Sequence, residues 1–433
     1  MVRLAFVVAS VLASVLAFGG CKTENQAFCA NPANAGLEGC PGDASNGGAC
    51  GSNGDCKVSG FPICDTTMND GTCVQCTSAM HDACSPTTPV CVSDVCSPCT
   101  MHSQCPSRAC LIDGSCADAT LVAYVRPGGG TTMCTDAQPC AKVSDAVKVK
   151  SIVKVEGMVT EDKSIVVDGK TLQIVADPSS SRLTRTGGGI ILDVKNANAD
   201  VSVSDLEISG GMNPTLQLSG SGAPKATLAR VKITGNQGIA ILAMTGALRI
   251  TQSTVSTNAG GGISLTSGAQ FEIVNNLITG NGVATGGGAT LFGGISLNGT
   301  DAGTRRIEFN TIVNNAASMG LVAGVNCQVT QAPITANNIV WDNTSGTGKM
   351  EIGGGCSWTY SDIGDQTNTT PPAGTGNLAA YPSFVNPGTN YHLNPDSVAK
   401  NTADPGATVT VDLDGTVRPQ DGRSDMGAYE FKP

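Results

Sequence analysis

Residues 233–236 read ITGN, and the same four letters return at residues 278–281. Between them, residues 255–258 read VSTN, which keeps a β-branched first residue, a small polar second residue and a final Asn. Aligning the chain on this motif gives six equivalent apolar positions, 22 to 34 residues apart. They are Ile208, Ile233, Val255, Ile278, Ile312 and Val340. A motif that returns at a period of about 20–50 residues is typical of a solenoid or another repeat architecture.

Two further alternating segments accompany these apolar positions, as half-buried strands do. The segments before them are 201–203, 226–228, 248–250, 271–273 and 307–309. The segments after them are 239–241, 263–265, 295–297 and 321–323. Three short strands in about 23 residues predict one coil of an all-β parallel β-helix. Successive coils stack about 4.8 Å apart, so equivalent side chains lie above one another.

An Asn follows each apolar position from Ile233 onward by three residues, whereas Gly211 takes this place in the first repeat. These residues are Asn236, Asn258, Asn281, Asn315 and Asn343. Stacked amides bond one another in other stacked strands. We therefore predict a structural Asn ladder at a turn, in preference to a ligand-binding row.

The last two cysteines fit the same register. Cys327 and Cys356 are 29 residues apart, close to the 28-residue step from Ile312 to Val340. Adjacent coils would bring them within bridging distance, which predicts a disulfide. Cys134 and Cys140 are predicted to pair locally, just before a short capping helix in residues 141–150.

The composition limits the expected partners, and the N-terminus predicts export. The formal charge of −10 and the pI near 4.8 argue against nucleic acid or an anionic membrane face as a partner. Residues 1–20 combine a basic start with an apolar run, which predicts an export signal. The stretch LAFGGC resembles the lipobox of bacterial lipoproteins and implies lipidation of Cys21; ordinary signal cleavage is the alternative. Lys22 after the Cys resembles the outer-membrane sorting pattern.

Twelve cysteines between residues 50 and 116 form three groups of four, each joined to the next by a C-x2-C step. Export and the absence of apolar periodicity favour a disulfide-stapled module, whose connectivity the spacing leaves open. Zinc sites that include His81 and His102 are the less favoured alternative. The module resembles cysteine-rich segments of myxobacterial surface lipoproteins, which implies a spacer or adhesion role.

Both ends of the repeat region resemble known surface-protein segments. PSFVNP, NYHL, DLDG and DMGAYEF within residues 377–431 resemble the choice-of-anchor Q domain, which follows right-handed β-helices in bacterial surface proteins. YVRPGGG at residues 124–130 and PCAKVSDAV at residues 139–147 resemble the N-terminal cap of pectate-lyase-like β-helix proteins. The resemblance implies a right-handed parallel β-helix. An anchor often follows that C-terminal segment, and here Pro433 ends the sequence, so we expect Cys21 to anchor the chain.

These patterns predict six segments. They are a lipoprotein signal peptide (1–20), a tether (21–49), a disulfide module (50–118), an N-terminal cap (119–150), the β-helix (151–365) and a C-terminal capping segment (366–433).

Candidates for catalysis are few. Asp205 and Arg230 fall at near-equivalent positions of adjacent coils and are the weak catalytic candidates. RVK at residues 230–232 resembles the RIK string of polygalacturonases, but the GHG and NTD strings of that family are absent. Arg249, Glu272 and Glu308 are predicted to share one outward row, which is more simply a solvated sheet face. Whether the chain is an enzyme stays open, and the sequence favours that it is not.

Other candidates concern ligands. Trp341, Trp358 and Tyr360 are sugar-stacking candidates, and closure of the core end is the favoured alternative. Asp412, Asp414, Asp421 and Asp425 are weak calcium candidates, although turn closure with Arg418 explains them more simply. The Gly-rich insertion at residues 282–293 is either a ligand-binding loop or a plain surface loop. No other cofactor is expected.

The sequence thus predicts a lipid-anchored surface protein on the outer membrane or cell surface, with a structural, adhesive or polysaccharide-recognition role. Its expected partners are the membrane, through Cys21, and a polysaccharide or another cell-surface molecule. The alternative is a polysaccharide lyase or glycoside hydrolase of the pectate-lyase-like β-helix type.

Overall fold

The computed structural model describes residues 50–433 except 58, 68–70, 81–82, 267, 300–302, 366, 368 and 369. The predicted signal peptide, the tether, Cys21 and His81 therefore lie outside the described residues. The described residues form two compact units, one that ends at Cys116 and one that begins at Ala117. Within the described part of the chain, no helix has the length and apolar character needed to cross a bilayer.

In the first unit, each group of four cysteines closes on itself by the same pairing, first to third and second to fourth. The bonds are Cys50–Cys64, Cys56–Cys73, Cys76–Cys91, Cys84–Cys96, Cys99–Cys110 and Cys105–Cys116. Two hairpins pair Ile63–Asp65 with Thr72–Val74 and Val90–Val92 with Val95–Ser97, and 3₁₀ turns span Asn53–Asp55 and His102–Gln104. These bonds leave none of the twelve sulfurs free for zinc.

The second unit is a right-handed parallel β-helix of about eight coils, built from three parallel sheets. Each complete coil contributes one strand to each sheet, in the order A, B, C, and the end coils contribute fewer. Sheet A consists of Val122–Gly130, Ile152–Val155, Thr171–Ala176, Asp200–Ser204, Lys225–Ala229, Ala247–Thr251, Gln270–Val274, Arg305–Glu308, Ile334–Ala336 and Ser357–Thr359. Sheet B consists of Met158–Glu161, Arg182–Arg185, Glu207–Ser209, Lys232–Thr234, Thr254–Ser256, Leu277–Thr279, Thr311–Val313, Ile339–Trp341 and Asp362–Gly364. Sheet C consists of Ile165–Asp168, Leu192–Lys195, Leu216–Ser219, Ile241–Ala243, Ile263–Thr266, Ile295–Asn298, Val325–Gln328 and Ile352–Gly354.

The six apolar positions that align on ITGN are the central residues of successive sheet B strands. Ile208 pairs with Ile233, Ile233 with Val255, and the register continues unbroken to Val340. All six are buried in one continuous apolar interior. The predicted fold is confirmed, because the period-two alternation in each strand turns one row of apolar side chains inward.

Two strand predictions and one row prediction are wrong. In sheet C, the strands expected at residues 239–241 and 321–323 lie at Ile241–Ala243 and Val325–Gln328. In sheet A, Glu272 faces Arg306, while Glu308 lies opposite Val274. When the register of a strand shifts by two or four residues, the same side chains still face inward. The apolar pattern alone therefore does not distinguish the predicted register from the observed one.

The last two letters of ITGN determine the turn that follows sheet B. Gly235 has φ +66°, a conformation that a residue without Cβ adopts at little cost. Asn236 then turns into the interior, where its Nδ2 donates to Oδ1 of Asn258 at 2.6 Å. The same contact links Asn258 to Asn281, Asn281 to Asn315 and Asn315 to Asn343 at 2.8–2.9 Å. Glu351 accepts the last Asn343 amide in this ladder, at 2.5 Å.

A second buried ladder, which the sequence analysis missed, lies at the turn between sheets A and B. Nδ2 of Asn276 donates to Oδ1 of Asn310, and Asn310 donates in the same way to Asn338, both at 3.0 Å. Ser253 and Ser361 extend it at the two ends. Each of these residues lies two positions before the central residue of a sheet B strand. This constant spacing in the sequence could have predicted the second ladder.

A disulfide cap covers the start of the solenoid. Cys134 and Cys140 are bonded, and the short helix Val143–Ala146 follows, with its first amides bonded to the buried Glu161. A 3₁₀ turn at Ala119–Leu121 precedes the first strand. Cys327 and Cys356 are bonded across adjacent coils of sheet C.

The C-terminal segment does more than cap the last coil. Leu378 pairs with the edge of the last sheet B strand at Asp362, as a cap would. The chain then turns back along the outside of sheet B and forms a second apolar core there. That core contains a hairpin of Phe384–Asn386 and Asn390–Leu393. A small three-stranded sheet of Ala316–Ala317, Thr344–Ser345 and Gly348–Lys349 completes the described strands.

Candidate functional site

A groove of about 540 Å³ lies on the outer face of the solenoid, beside the C-terminal segment. Its floor is built from the turns between sheets A and B, hereafter the A–B turns, and from the sheet B strands that follow them. The lining residues are Pro178, Ser179, Ser181, Asp205, Leu206, Glu207, Arg230, Val231, Lys232, Gln252, Thr254, Leu413, Asp414 and Tyr429. This volume falls in the range of small-molecule sites, about 300–1,000 Å³.

Three consecutive A–B turns, each of two residues, form the floor. Their first residues are Asp205, Arg230 and Gln252, all with positive φ between 48° and 62°. The left-handed conformation reverses the chain at this corner. The second residue of each turn faces the interior, so the first residues line up along the solenoid axis in the floor of the groove.

Asp205 and Arg230, the two weak catalytic candidates, meet in this floor. Nε and Nη2 of Arg230 donate to the two carboxylate oxygens of Asp205, both at 2.7 Å. Asp205 is nearly buried, while the Arg230 side chain is 42% exposed to the groove. These hydrogen bonds raise the pKa of Arg230 above its ordinary value. A guanidinium held in this way keeps its proton, so it is a hydrogen-bond donor and a poor base.

The carboxylates beside this pair also have side-chain partners. Glu207 forms an ion pair with Arg182 at 2.7 Å, and Asp414 contacts Nε2 of His392 at 2.7 Å. Lys232 follows Glu207 in the outward row of sheet B and is exposed. Within the described residues it has no ion-pair partner, so its ammonium is free to contact a ligand.

The C-terminal segment contributes one wall of the groove. Gln252 donates from Nε2 to the backbone oxygen of Asp412 at 2.9 Å, which ties this wall to the floor. Leu413 is bonded to Ala428 through the backbone, and the Tyr429 ring stacks on His392 with centroids 4.0 Å apart. Burial raises the pKa of Tyr429, so its hydroxyl stays protonated.

The sugar-stacking candidates lie elsewhere. Trp341 is 2% exposed and packs against Tyr381 in the second core, and Trp358 is 4% exposed in the solenoid interior. Tyr360 is half-buried against the second core. The burial of the two tryptophans agrees with the favoured alternative, closure of the core by large apolar rings, and leaves these rings unable to stack on a sugar.

The four calcium candidates do not converge. Asp412 accepts backbone amides from Asp414, Thr416 and Glu430, and Asp425 accepts those of Asn401 and Phe431. Asp414 contacts His392, and Asp421 lies beside Asn401. In the described part of the chain, the groups of three residues close enough to share a metal consist of disulfide-bonded cysteines. These carboxylates shape turns around Arg418, whose guanidinium bonds Glu430 at 2.8 Å.

Sequence reasoning thus singled out Asp205 and Arg230 as neighbours, named Asp414 only as a calcium candidate, and missed most of the other groove residues. Lys232 and Thr254 are visible in the sequence as outward sheet B residues, two positions after the first residue of their A–B turn. Tyr429 carries no such signal, because its place depends on how a distant segment packs on the solenoid.

Two family models and a solved structure resemble parts of the chain. A family model described as the right-handed β-helix region matches residues 188–364, and the model of a family of unknown function matches residues 18–122. A crystal structure of pectate lyase Pel9A is similar with a TM-score of 0.43 and 15% sequence identity, covering 72% of this chain and 96% of the lyase chain. None of the curated proteins matches the chain.

Proposed function

We propose that this chain is an exported surface lipoprotein whose β-helix binds polysaccharide in the groove described above, without cleaving it. The supporting observation is the locked pair of Asp205 and Arg230 in the groove floor. Around it lie Lys232, Gln252 and Thr254, which offer hydrogen bonds to hydroxyl-rich ligands. Few convergent polar groups on a rigid scaffold are typical of a binding site.

The export and anchoring part of the proposal rests on the sequence. The signal-like residues 1–20 and the lipobox-like LAFGGC favour lipid on Cys21 and a place at the outer membrane or cell surface. Six disulfides in residues 50–116 suit an oxidising compartment outside the cytoplasm. In this proposal the cysteine-rich unit is a spacer between the lipid and the β-helix.

The alternative of a lyase or hydrolase has less support in the geometry. A β-eliminating lyase needs a base that accepts a proton, and Arg230 holds its own proton firmly through Asp205. A glycosidase needs two carboxyl groups with separate acid and base roles. In the groove, Asp205, Glu207 and Asp414 are each engaged by a cationic or basic side chain.

The binding claim is tested with soluble residues 22–433 on an array of neutral and acidic polysaccharides. We expect binding that Lys232→Glu weakens about tenfold or more, about 1.4 kcal/mol. Lys225→Glu is the matched control, since Lys225 is exposed in the same coil but on sheet A. No binding to any polysaccharide on the array, or an equal loss of affinity in both variants, would refute the groove as the binding site.

The anchor is tested by metabolic palmitate labelling of the full chain. We expect labelling that disappears in Cys21→Ser and persists in Cys29→Ser. Labelling that survives Cys21→Ser would show that another residue carries the lipid.

A further inference from the structure

Along the solenoid axis, a different segment of the chain lines each end of the groove, and the inference drawn from this rests on the proposed function and deepens it. The floor uses the A–B turns of three consecutive coils, which begin at Asp205, Arg230 and Gln252. Neighbouring strands are about 4.7–4.9 Å apart, so the first and last of these turns are only about 10 Å apart.

A longer A–B turn forms the first end wall. In the preceding coil, five residues (177–181) separate the sheet A strand from the sheet B strand, in place of two. Lys154, a buried residue, pairs with Asp177 at 2.5 Å, and Ser181 donates from Oγ to the backbone oxygen of Val155 at 3.0 Å. These contacts hold Pro178 and Ser179 against the groove.

The C-terminal segment forms the opposite end wall. Asn275, which begins the A–B turn of the following coil, donates from Nδ2 to the backbone oxygen of Val411. From this coil onward the segment covers the turns, as the contact of Asp404 with Asn337 shows. Leu413 and Tyr429 therefore lie at the end of the groove, in the place where a groove running along the solenoid axis would otherwise continue.

A polymer that ran along the axis would have to pass both walls. From the turn at residue 177 to the turn at Asn275 is four coil steps, about 19 Å between backbones, and side chains occupy part of that length. The groove volume of about 540 Å³ is that of a small-molecule site. The space accommodates a few sugar units and not an internal stretch of a long chain.

We infer that the groove recognises a short saccharide or the end of a glycan chain, about two or three units long, with Lys232 and the Asp205–Arg230 pair beneath it. The walls at residues 177–181 and at Leu413 and Tyr429 set this length. The protein would then bind the ends of glycan chains at a surface and would not bind an internal stretch of a polymer.

The test is calorimetric titration of residues 22–433 with cello-, chito- and galacturonate oligomers of one to six units, and with their parent polymers. We expect affinity in one series to rise up to the trimer and then stay within about twofold to the hexamer. If affinity keeps rising to the hexamer, and the polymer binds more tightly per sugar unit than the trimer, the inference of a short site is overturned. The proposal that the groove binds polysaccharide would still stand. An absence of binding by every series refutes the proposed function together with the inference.

Two variants test the walls themselves. Tyr429→Ala opens the C-terminal wall and should move the plateau to longer oligomers. Tyr429 also packs in the second core, so Thr254→Trp is the second variant, because aromatic residues suit an outward strand position. It fills the floor beside Gln252 and should cost trimer affinity at least about tenfold more than monomer affinity. Equal loss for monomer and trimer would contradict the closed-groove account.

Discussion

In residues 50–116, six disulfides stabilise three short segments that bury few apolar side chains. In residues 117–433, an apolar interior and buried amide ladders run through the coils, and two disulfides are added to them. Among the described residues, the first unit depends on covalent bonds because the core cluster that it forms consists mainly of cysteines, whereas the second depends on repetition. The two units should therefore unfold under different conditions.

Reduction should separate the two units most strongly. Each disulfide contributes about 2–4 kcal/mol, so a segment stabilised by six of them should unfold when they are reduced. We expect dithiothreitol to make residues 50–116 sensitive to protease while the β-sheet circular dichroism of residues 117–433 persists. Cys327→Ser with Cys356→Ser is the control, and should lower the melting temperature without removing the β-sheet signal. A cysteine-rich unit that resists protease when reduced would contradict the comparison.

The second prediction removes one amide from the middle of the ladder. Asn281 accepts two hydrogen bonds from Asn258 and donates to Asn315 and to the backbone of Val255. A buried polar group left without a partner costs roughly 1–3 kcal/mol, and Asn281→Ala leaves several. We expect the free energy of unfolding to fall by about 3 kcal/mol or more, measured by urea denaturation.

The matched control is Asn298→Ala, at an exposed outward position of sheet C. It should change the free energy of unfolding by less than about 0.5 kcal/mol. If the two variants have similar stability, the ladder is not what stabilises the coils.

A smaller effect concerns the carboxyl group that ends the ladder. Burial raises the pKa of Glu351 to about 8, and burial raises the pKa of Asp362 to about 7. Since the folded state binds these protons more tightly than the unfolded state, the stability that these two groups contribute is fully present below their unfolded pKa values and is lost as the pH rises through their folded ones. It should fall as pH rises from about 5 to 8. The melting temperature of Glu351→Gln should fall less over this range than that of the unmodified chain.

Glu272→Gln is the control for that pH series, since Glu272 lies outward on sheet A, 3.6 Å from Arg249. Its melting temperature should follow that of the unmodified chain at every pH. An unmodified chain with no loss of stability between pH 5 and 8 would show that Glu351 is solvated.

The smallest expected effect concerns that surface pair itself. Arg249→Ala removes a partly exposed ion pair, and such pairs contribute about 0–1 kcal/mol. We expect a change in the free energy of unfolding within about 0.5 kcal/mol and unaltered glycan binding. A loss above about 2 kcal/mol would mean that the outer charge rows, and not the interior, stabilise the solenoid.

The fold was predictable because each repeat carries its own signal. Ile233 and its equivalents give the register, and Gly235 with Asn236 gives the turn. The cysteine groups also predicted closed modules, but their spacing did not determine which sulfur bonds which.

The groove was only half predictable. Asp205 and Arg230 occupy equivalent positions in adjacent coils, 25 residues apart. The repeat therefore predicted that they lie close together, as the structure shows. The walls depend on the packing of Tyr429 against coils that are far away in sequence, and no local period reports such packing. The burial of Trp341 has the same origin, because the C-terminal segment covers a sheet face that the repeat alone would leave exposed.

The most direct test of the central claim measures binding and cleavage together, on the polysaccharides that the array identifies. Soluble residues 22–433 would be assayed for retention of the glycan and for release of reducing ends, with and without calcium. The account predicts retention that Lys232→Glu weakens, and no release above background. Release that disappears in Arg230→Ala or Asp205→Ala would contradict it and make the groove an active site.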